Sequence, residues 1–546
     1  MRLRALVLPL LTAAVLAVVP TTPATAAAPD PATTGSHSVT TIEYDAGTTL
    51  VTDPSTLLTY PEQLEGALYV PSGPGPFPVL MFLHGRHGTC VYGGILEFVG
   101  PRATCPESPA TSNVASYRGY AYLATNLASH GYLVASVNAN SINSLDWAGD
   151  AGAEERAQVL ARSLDKLGEW NTTAGPGAVG TALVGKVDLS RIGLMGHSRG
   201  GEGVDRFIEY NRTRTDGPRY TGLKAVFALA PTDFGAEAPT GVHWAVLLPL
   251  CDGDVYDLQG AHAYDRGRFT DPATAFTRAQ YTVTGTNHNW FNTVWTGDDY
   301  AGSDPACNKA NASSVRLTDA EQRDVGLAIM ASFFRRWVGG ETAFDALVKG
   351  AEALPASACP GAATTCPTLV RTSYLAPAAD RVLLAQPGVA TVSATGFATN
   401  TTCTPTTTGT GCPTNPTRSI ATQHTLGWTA PATFSAAVPA TNVSGLAALT
   451  FRTGVNYNDV RNTTAAQDLD VVVRDATGAT ATVNAAAYTA ALRKPPGGVD
   501  RELMLDGVWI PLSAFAGVDL ANVTQVQLKT RTASGSIQLA ELAFQK

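Results

Sequence analysis

Residues Ile192-Gly193-Leu194-Met195-Gly196-His197-Ser198-Arg199-Gly200 run from an apolar stretch straight into a G-x-S-x-G motif. The motif alone recurs by chance in long chains. Its setting makes it specific, because strand-type residues precede it and helix-type sequence follows from about Gly200. The two glycines are needed where a sharp turn forces backbone contacts that a side chain would block. Such a turn lifts the Ser198 hydroxyl to the head of a helix, whose amides favour developing negative charge. Ser198 is therefore the candidate nucleophile.

A serine hydroxyl needs a base to take its proton. His37 and His424 lie outside the core region, His130 sits in a turn, and His243 precedes a strand. His84, His87 and His197 belong to other parts of the same region, and His262 comes too early, on a helix. His288 remains, in the loop Gly285-Thr286-Asn287-His288-Asn289-Trp290 after the strand at 280–284. The acid that orients it is sought in Cys251-Asp252-Gly253-Asp254, at the end of a strand over 244–250. Carboxylates at the C-terminal end of a parallel strand face the crevice. Asp254 is the first choice, with Asp252 second and Asp257 third. The run lacks the glycine spacing and terminal Glu of a calcium loop, and no metal is expected.

Outward from the motif, apolar runs at 66–70, 79–83, 131–137, 192–195, 224–229, 244–250 and 280–284 alternate with helical stretches. The latter cover 116–129, 154–170, the segment after Gly200, and 319–337. This alternation predicts an α/β class with a mostly parallel, doubly wound sheet. From about Pro360 the helical period fades and short Thr/Val-rich alternating runs follow, as in Asp468-Leu469-Asp470-Val471-Val472-Val473. These predict an antiparallel β-sandwich. The expected organisation is a leader over 1–26, a catalytic domain over 37–355, a linker over 356–375 and an accessory sandwich over 376–546.

Composition places the chain outside the cell. Charged residues make up only 15% of it, against about 25% in an average soluble protein. The formal charge of −8 offers no excess of cations for phosphates, so nucleic acid is excluded as a partner. Arg2 and Arg4 precede an apolar run to Val19, and Ala24-Thr25-Ala26 follows as a cleavage site, a secretory pattern too short for a membrane span. The eight cysteines then read as disulfides. They fall as Cys90 and Cys105, Cys251 and Cys307, Cys359 and Cys366, and Cys403 and Cys412. Neighbour pairing is the simplest arrangement, although eight cysteines permit 105 connectivities.

With Ser198, Asp254 and His288 in nucleophile-acid-histidine order, residues 40–350 resemble the α/β-hydrolase superfamily. They look closest to secreted bacterial hydrolases of the dienelactone-hydrolase, platelet-activating-factor acetylhydrolase and cutinase-like polyesterase kind. The resemblance implies an α/β-hydrolase sheet, an oxyanion loop at Leu83-His84-Gly85-Arg86, and backbone N–H donation from Arg86 and Arg199. The chain departs from cutinase-like enzymes in placing His197, not an aromatic residue, before the nucleophile. The gap from Pro231 to His243 is too short for a cap, so an open cleft suited to bulky or polymeric esters is expected. Trp290, Phe291 and Trp147 are the candidate substrate-binding aromatics.

Val508 to Val523 resembles galactose-binding-like and carbohydrate-binding jelly-roll modules, which implies a polysaccharide- or polymer-tethering role. The expected protein is a monomeric, cofactor-free, secreted serine ester hydrolase. A serine peptidase or amidase, and a non-catalytic surface-binding protein, are the competing readings.

Overall fold

The first half of the chain is organised by one nine-stranded sheet. In this computed structural model the described residues are 27–546 apart from 94, 98–104, 106–110, 147–148, 386–390, 405–418 and 496–503. The strands are β1 (Val39–Thr52), β2 (Thr59–Pro71), β3 (Phe77–Leu83), β4 (Leu133–Val137), β5 (Val187–His197), β6 (Leu223–Leu229), β7 (His243–Pro249), β8 (Arg278–Val283) and β9 (Val370–Leu375). Their order across the sheet is β1-β2-β4-β3-β5-β6-β7-β8-β9. The pairs from β4 to β8 are parallel. Those at the margins, β1–β2, β2–β4 and β8–β9, are antiparallel.

Strand β3 shows why the sheet is buried on both sides. Its residues alternate between two separate cores, as a two-residue period demands. Val79, Met81 and Leu83 enter one with Leu160 and Leu164 of helix α2 (Ala153–Trp170) and Phe207 of α3 (Arg199–Thr213). Leu80 and Phe82 enter the other with Leu123 and Leu127 of the helix Ala121–Ser129 and Phe333 of the helix Asp319–Trp337.

The second half forms two antiparallel, sandwich-like sheets. One runs Thr399–Cys403, Gln423–Trp428, Gly535–Gln545, Ala448–Val455, Asp506–Pro511, with Arg381–Ala385 also paired to Gly535–Gln545. The other runs Thr391–Thr395, Thr433–Thr441, Val523–Thr530, Leu469–Asp475, Thr480–Asn484. Trp428, Phe434, Phe451, Val471, Ile510 and Phe544 fill the core between them.

This architecture corrects the expectation of a doubly wound α/β-hydrolase sheet followed by a sandwich. The chain is mostly β-structure, with 34% strand against 22% helix, arranged in large mixed and antiparallel sheets. The apolar runs that suggested a parallel sheet are strands, but the one at 66–70 belongs to β2, which pairs antiparallel on both sides, and the apolar pattern does not reveal β1 and β9. Strand β1 alternates Thr, Glu and Tyr with half its length open to water. Strand β9 comes from the segment read as a linker.

Three disulfides join Cys90 to Cys105, Cys251 to Cys307, and Cys359 to Cys366. Cys403 is also bonded, whereas Cys412 and the leader read over 1–26 lie outside the described residues. Among the described residues no helix is long and apolar enough to cross a membrane.

The two halves meet through a buried carboxylate. Asp265 accepts from Arg452 (2.6 Å), Arg268 (2.8 Å) and the amides of Ile420 (2.8 Å) and Ala421 (3.0 Å). Burial alone would raise its pKa, but the charges of Arg452 and Arg268 and the Ser419 hydroxyl pull it down to about 2. A carboxylate held below its ordinary value of 3.8 contributes stability above that value and loses it as pH falls toward 2. Asp265→Ala should therefore cost about 3–5 kcal/mol in urea denaturation at neutral pH, because Arg452 loses a buried partner. The difference from the parent should shrink as the titration is repeated between pH 4 and 2.

Candidate active site

Parallel β3, β5, β7 and β8 bring four loops to one edge of the sheet: 84–87, the turn at Ser198, 250–258 and 284–292. Strand β5 hands over to α3 within a single residue. Ser198 has φ 59° and ψ −128°, a conformation costing on the order of 1–3 kcal/mol for a non-glycine residue. It is held there by its amide, which donates to Leu229 O (2.9 Å), and its carbonyl, which accepts from Gly201 N (2.8 Å). A side chain at Gly196 would meet Gly200 O at 1.9 Å, and one at Gly200 would meet Leu83 O at 2.5 Å. Both glycines of the motif are thus sterically required.

The loop after β3 lies directly on Ser198. A Cβ at Gly85 would fall 2.4 Å from Ser198 Cβ and 3.1 Å from Oγ. His84 fixes that loop. Its Nε2 accepts from Ala139 N (2.9 Å), so the proton is on Nδ1, which donates to Gly85 O (2.8 Å). Burial lowers the His84 pKa to about 4 and keeps the ring neutral.

His288 is 1% exposed and its Nδ1 donates to Asp252 Oδ2 at 2.9 Å. Among the described residues its Nε2 has no hydrogen-bond partner. Asp252 is fully buried, and its Oδ1 accepts from the amides of Asp254 (2.9 Å) and Val255 (2.7 Å). The carboxylate bonded to His288 is therefore that of Asp252, which corrects the first choice of Asp254. The chain turns at Asp252 itself, which sends its carboxylate inward and leaves the Asp254 side chain 61% exposed. Asp254 instead stands 3.7 Å from the other ring nitrogen, Nε2. Asp257 is not among the hydrogen-bond partners of His288.

Several fixtures were not legible beforehand. The Asp299 carboxylate accepts from Gly253 N (2.7 Å), His288 N (3.1 Å) and Asn289 N (2.9 Å), so it ties the acid loop to the base loop. Gln322 clamps Asn287 through both its amide and its carbonyl (2.9 and 2.8 Å). Cys251 N donates to Thr286 O (2.8 Å), and the Cys251–Cys307 bridge lies beside that contact. The ring of His197 is 4.9 Å from that of His288 and 4.8 Å from Trp295, and its Nδ1 is 3.1 Å from Tyr120 Oη.

Two of the three expected substrate aromatics, Trp290 and Phe291, are buried rather than open to the site. Phe291 is fully buried in the core. Trp290 is 6% exposed and covered by Lys309 (3.5 Å) and Arg316 (4.8 Å). The short helical turn Asn289–Phe291 directs both rings inward. Trp147 lies outside the described residues. The aromatic rings that do face solvent nearby are Phe234, beneath Arg199 at 5.4 Å, and Tyr256 in the acid loop. A cavity of about 500 Å³ opens elsewhere, between Tyr281, Ile329, Arg371 and Trp509, and none of Ser198, Asp252 and His288 lines it. Among the described residues no cluster of His, Cys, Asp and Glu has the geometry of a metal site. No protein-family model matches the chain, and no curated protein matches its sequence significantly.

Burial would push His288 down, but the Asp252 carboxylate outweighs it and, with Asp254 and Asp299, raises the imidazole to about 9. A base must be neutral to accept a proton, so kcat/KM should rise through the alkaline range. Asp254→Asn should move that rise to lower pH by removing one of the charges that hold the proton. Asp252→Asn should instead cut kcat by about 10⁴-fold, the usual consequence of losing the acid that fixes the tautomer. The pH–rate profiles of both variants check these outcomes.

Proposed function

We propose that this chain is a secreted serine carboxylic ester hydrolase working through an acyl-enzyme. The observation that carries the reading is the buried Asp252–His288 pair at the sheet edge that presents Ser198 in its strained turn. His288 Nε2 takes the Ser198 proton as Oγ attacks the ester carbonyl. The amide of Arg199 opens α3, where the first N–H groups of a helix point outward along its axis, and that of Arg86 follows the glycine packed on Ser198. Both are the donors for the oxyanion, worth roughly 3–4 kcal/mol of barrier each. Collapse expels the alcohol with the proton from His288, and water then attacks the acyl-enzyme with His288 again as base.

The surroundings favour bulky, apolar or polymeric esters. The short paired strands Cys90–Tyr92 and Ile95–Glu97, after the oxyanion loop, expose Tyr92, Ile95 and Leu96, and Phe234 and Tyr256 are exposed beside Arg199 and Asp254. Three disulfides suit an oxidising compartment, in keeping with the leader pattern at 1–26.

Purified mature protein and Ser198→Ala should be compared on short and long p-nitrophenyl esters, peptide anilides and an insoluble polyester. Ester turnover should fall at least about 10³-fold in the variant. Turnover surviving Ser198→Ala would overturn the reading, and anilides cleaved faster than esters would replace it with an amidase.

A further inference from the structure

Asp146 has no exposed surface, yet three guanidinium groups from three separate segments converge on it. Its Oδ1 accepts from Arg86 Nε at 3.2 Å and is 2.8 Å from a terminal nitrogen of Arg199. Its Oδ2 accepts from Arg156 at 2.9 Å, and its backbone carbonyl accepts from Arg199 at 2.6 Å. Arg156 is itself fixed, donating to Asn143 (2.8 Å) and to the carbonyls of Ala151 (3.0 Å) and Gly152 (3.2 Å). The anchor therefore sits on α2, and the two arms reach the residues on either side of the nucleophile.

We infer that Asp146 is a positioning residue for the oxyanion-binding backbone, holding the amides of Arg86 and Arg199 at a fixed separation through their side chains. This rests on the reading of Ser198 as an acylating nucleophile. Neither side chain needs to touch substrate. Each guanidinium is joined through its own side chain to the residue whose peptide N–H meets the oxyanion, and both are bound to one carboxylate oxygen. A hole built from two independent loops has to keep its donors close to 3 Å from one point. His84 holds the carbonyl of Gly85, and the helix holds Arg199 N, but only Asp146 spans from one loop to the other among these contacts. Ionic hydrogen bonds to a buried carboxylate are stronger than neutral ones, which suits a part that must not yield as charge develops.

The test compares wild type, Asp146→Asn and Arg86→Gln by three measurements. These are kcat and KM on a p-nitrophenyl ester, and the affinity of a trifluoromethyl ketone, which forms a serine adduct carrying the oxyanion. Labelling by a fluorophosphonate counts competent Ser198. Asp146→Asn should lower kcat by about ten- to a hundredfold with KM within about twofold, and weaken the ketone by the same factor. Arg86→Gln should lose a smaller part of both. It leaves Asp146 paired with Arg156 and Arg199, so it carries the test if circular dichroism shows Asp146→Asn unfolded. Wild-type kcat and ketone affinity in the folded variants would overturn the inference, as would a change confined to KM. A wild-type protein that neither turns over esters nor labels at Ser198 would overturn the nucleophile reading, and this inference with it.

Discussion

The constraint on which the site depends is steric and lies in the backbone. Strand β5 must end and α3 must begin within one residue, and the loop after β3 must press against that junction. Gly85, Gly196 and Gly200 leave no room for side chains there, and Ser198 carries the resulting strain in its own torsion angles. A residue held in such a conformation persists only where its neighbours over-determine it. Here the Leu229 carbonyl and the first turn of α3 do so. The hydroxyl is thereby aimed by packing, before any hydrogen bond to it is considered.

His288 and Asp252 are held differently, by polar cross-links between loops. The loops after β7 and β8 are joined by the Cys251–Thr286 backbone contact, by Asp299 and by the Cys251–Cys307 bridge. Asp252 spends one carboxylate oxygen on its own turn and the other on His288. The imidazole is consequently fixed in tautomer and in orientation, and the exposed Asp254 adjusts its basicity from the solvent side.

Much of this was legible in the sequence where the signal was local. Ser198 followed from two glycines in a strand-turn-helix setting, and His288 from its place after an apolar run. The helix Asp319–Trp337 was readable to the residue. What failed depended on which way a side chain turns. Cys251-Asp252-Gly253-Asp254 offers two acids two residues apart, and only the folded turn tells which one points inward. Trp290 and Phe291 adjoin the base in sequence yet pack away from it. Asp146, and Asp299 next to Asp298, are acids in loops without a pattern, and their importance arises wholly from tertiary contacts. Strands β1 and β9 were missed because a half-exposed alternation and a supposed linker lack the continuous apolar runs of their neighbours, and that omission produced the wrong sheet.

Strand β9 has a bearing on how the chain could be divided. It covers the open side of β8 along six paired residues, and Gly507 of the second half packs so tightly on Thr372 O that a Cβ there would sit at 2.0 Å. A fragment ending before Val370 would bare a row of unpaired amides and carbonyls on an apolar strand, a template for aggregation with other copies. The short stretch after the last long helix is thus a selvage, finishing the weave of one fabric while stitched to the next.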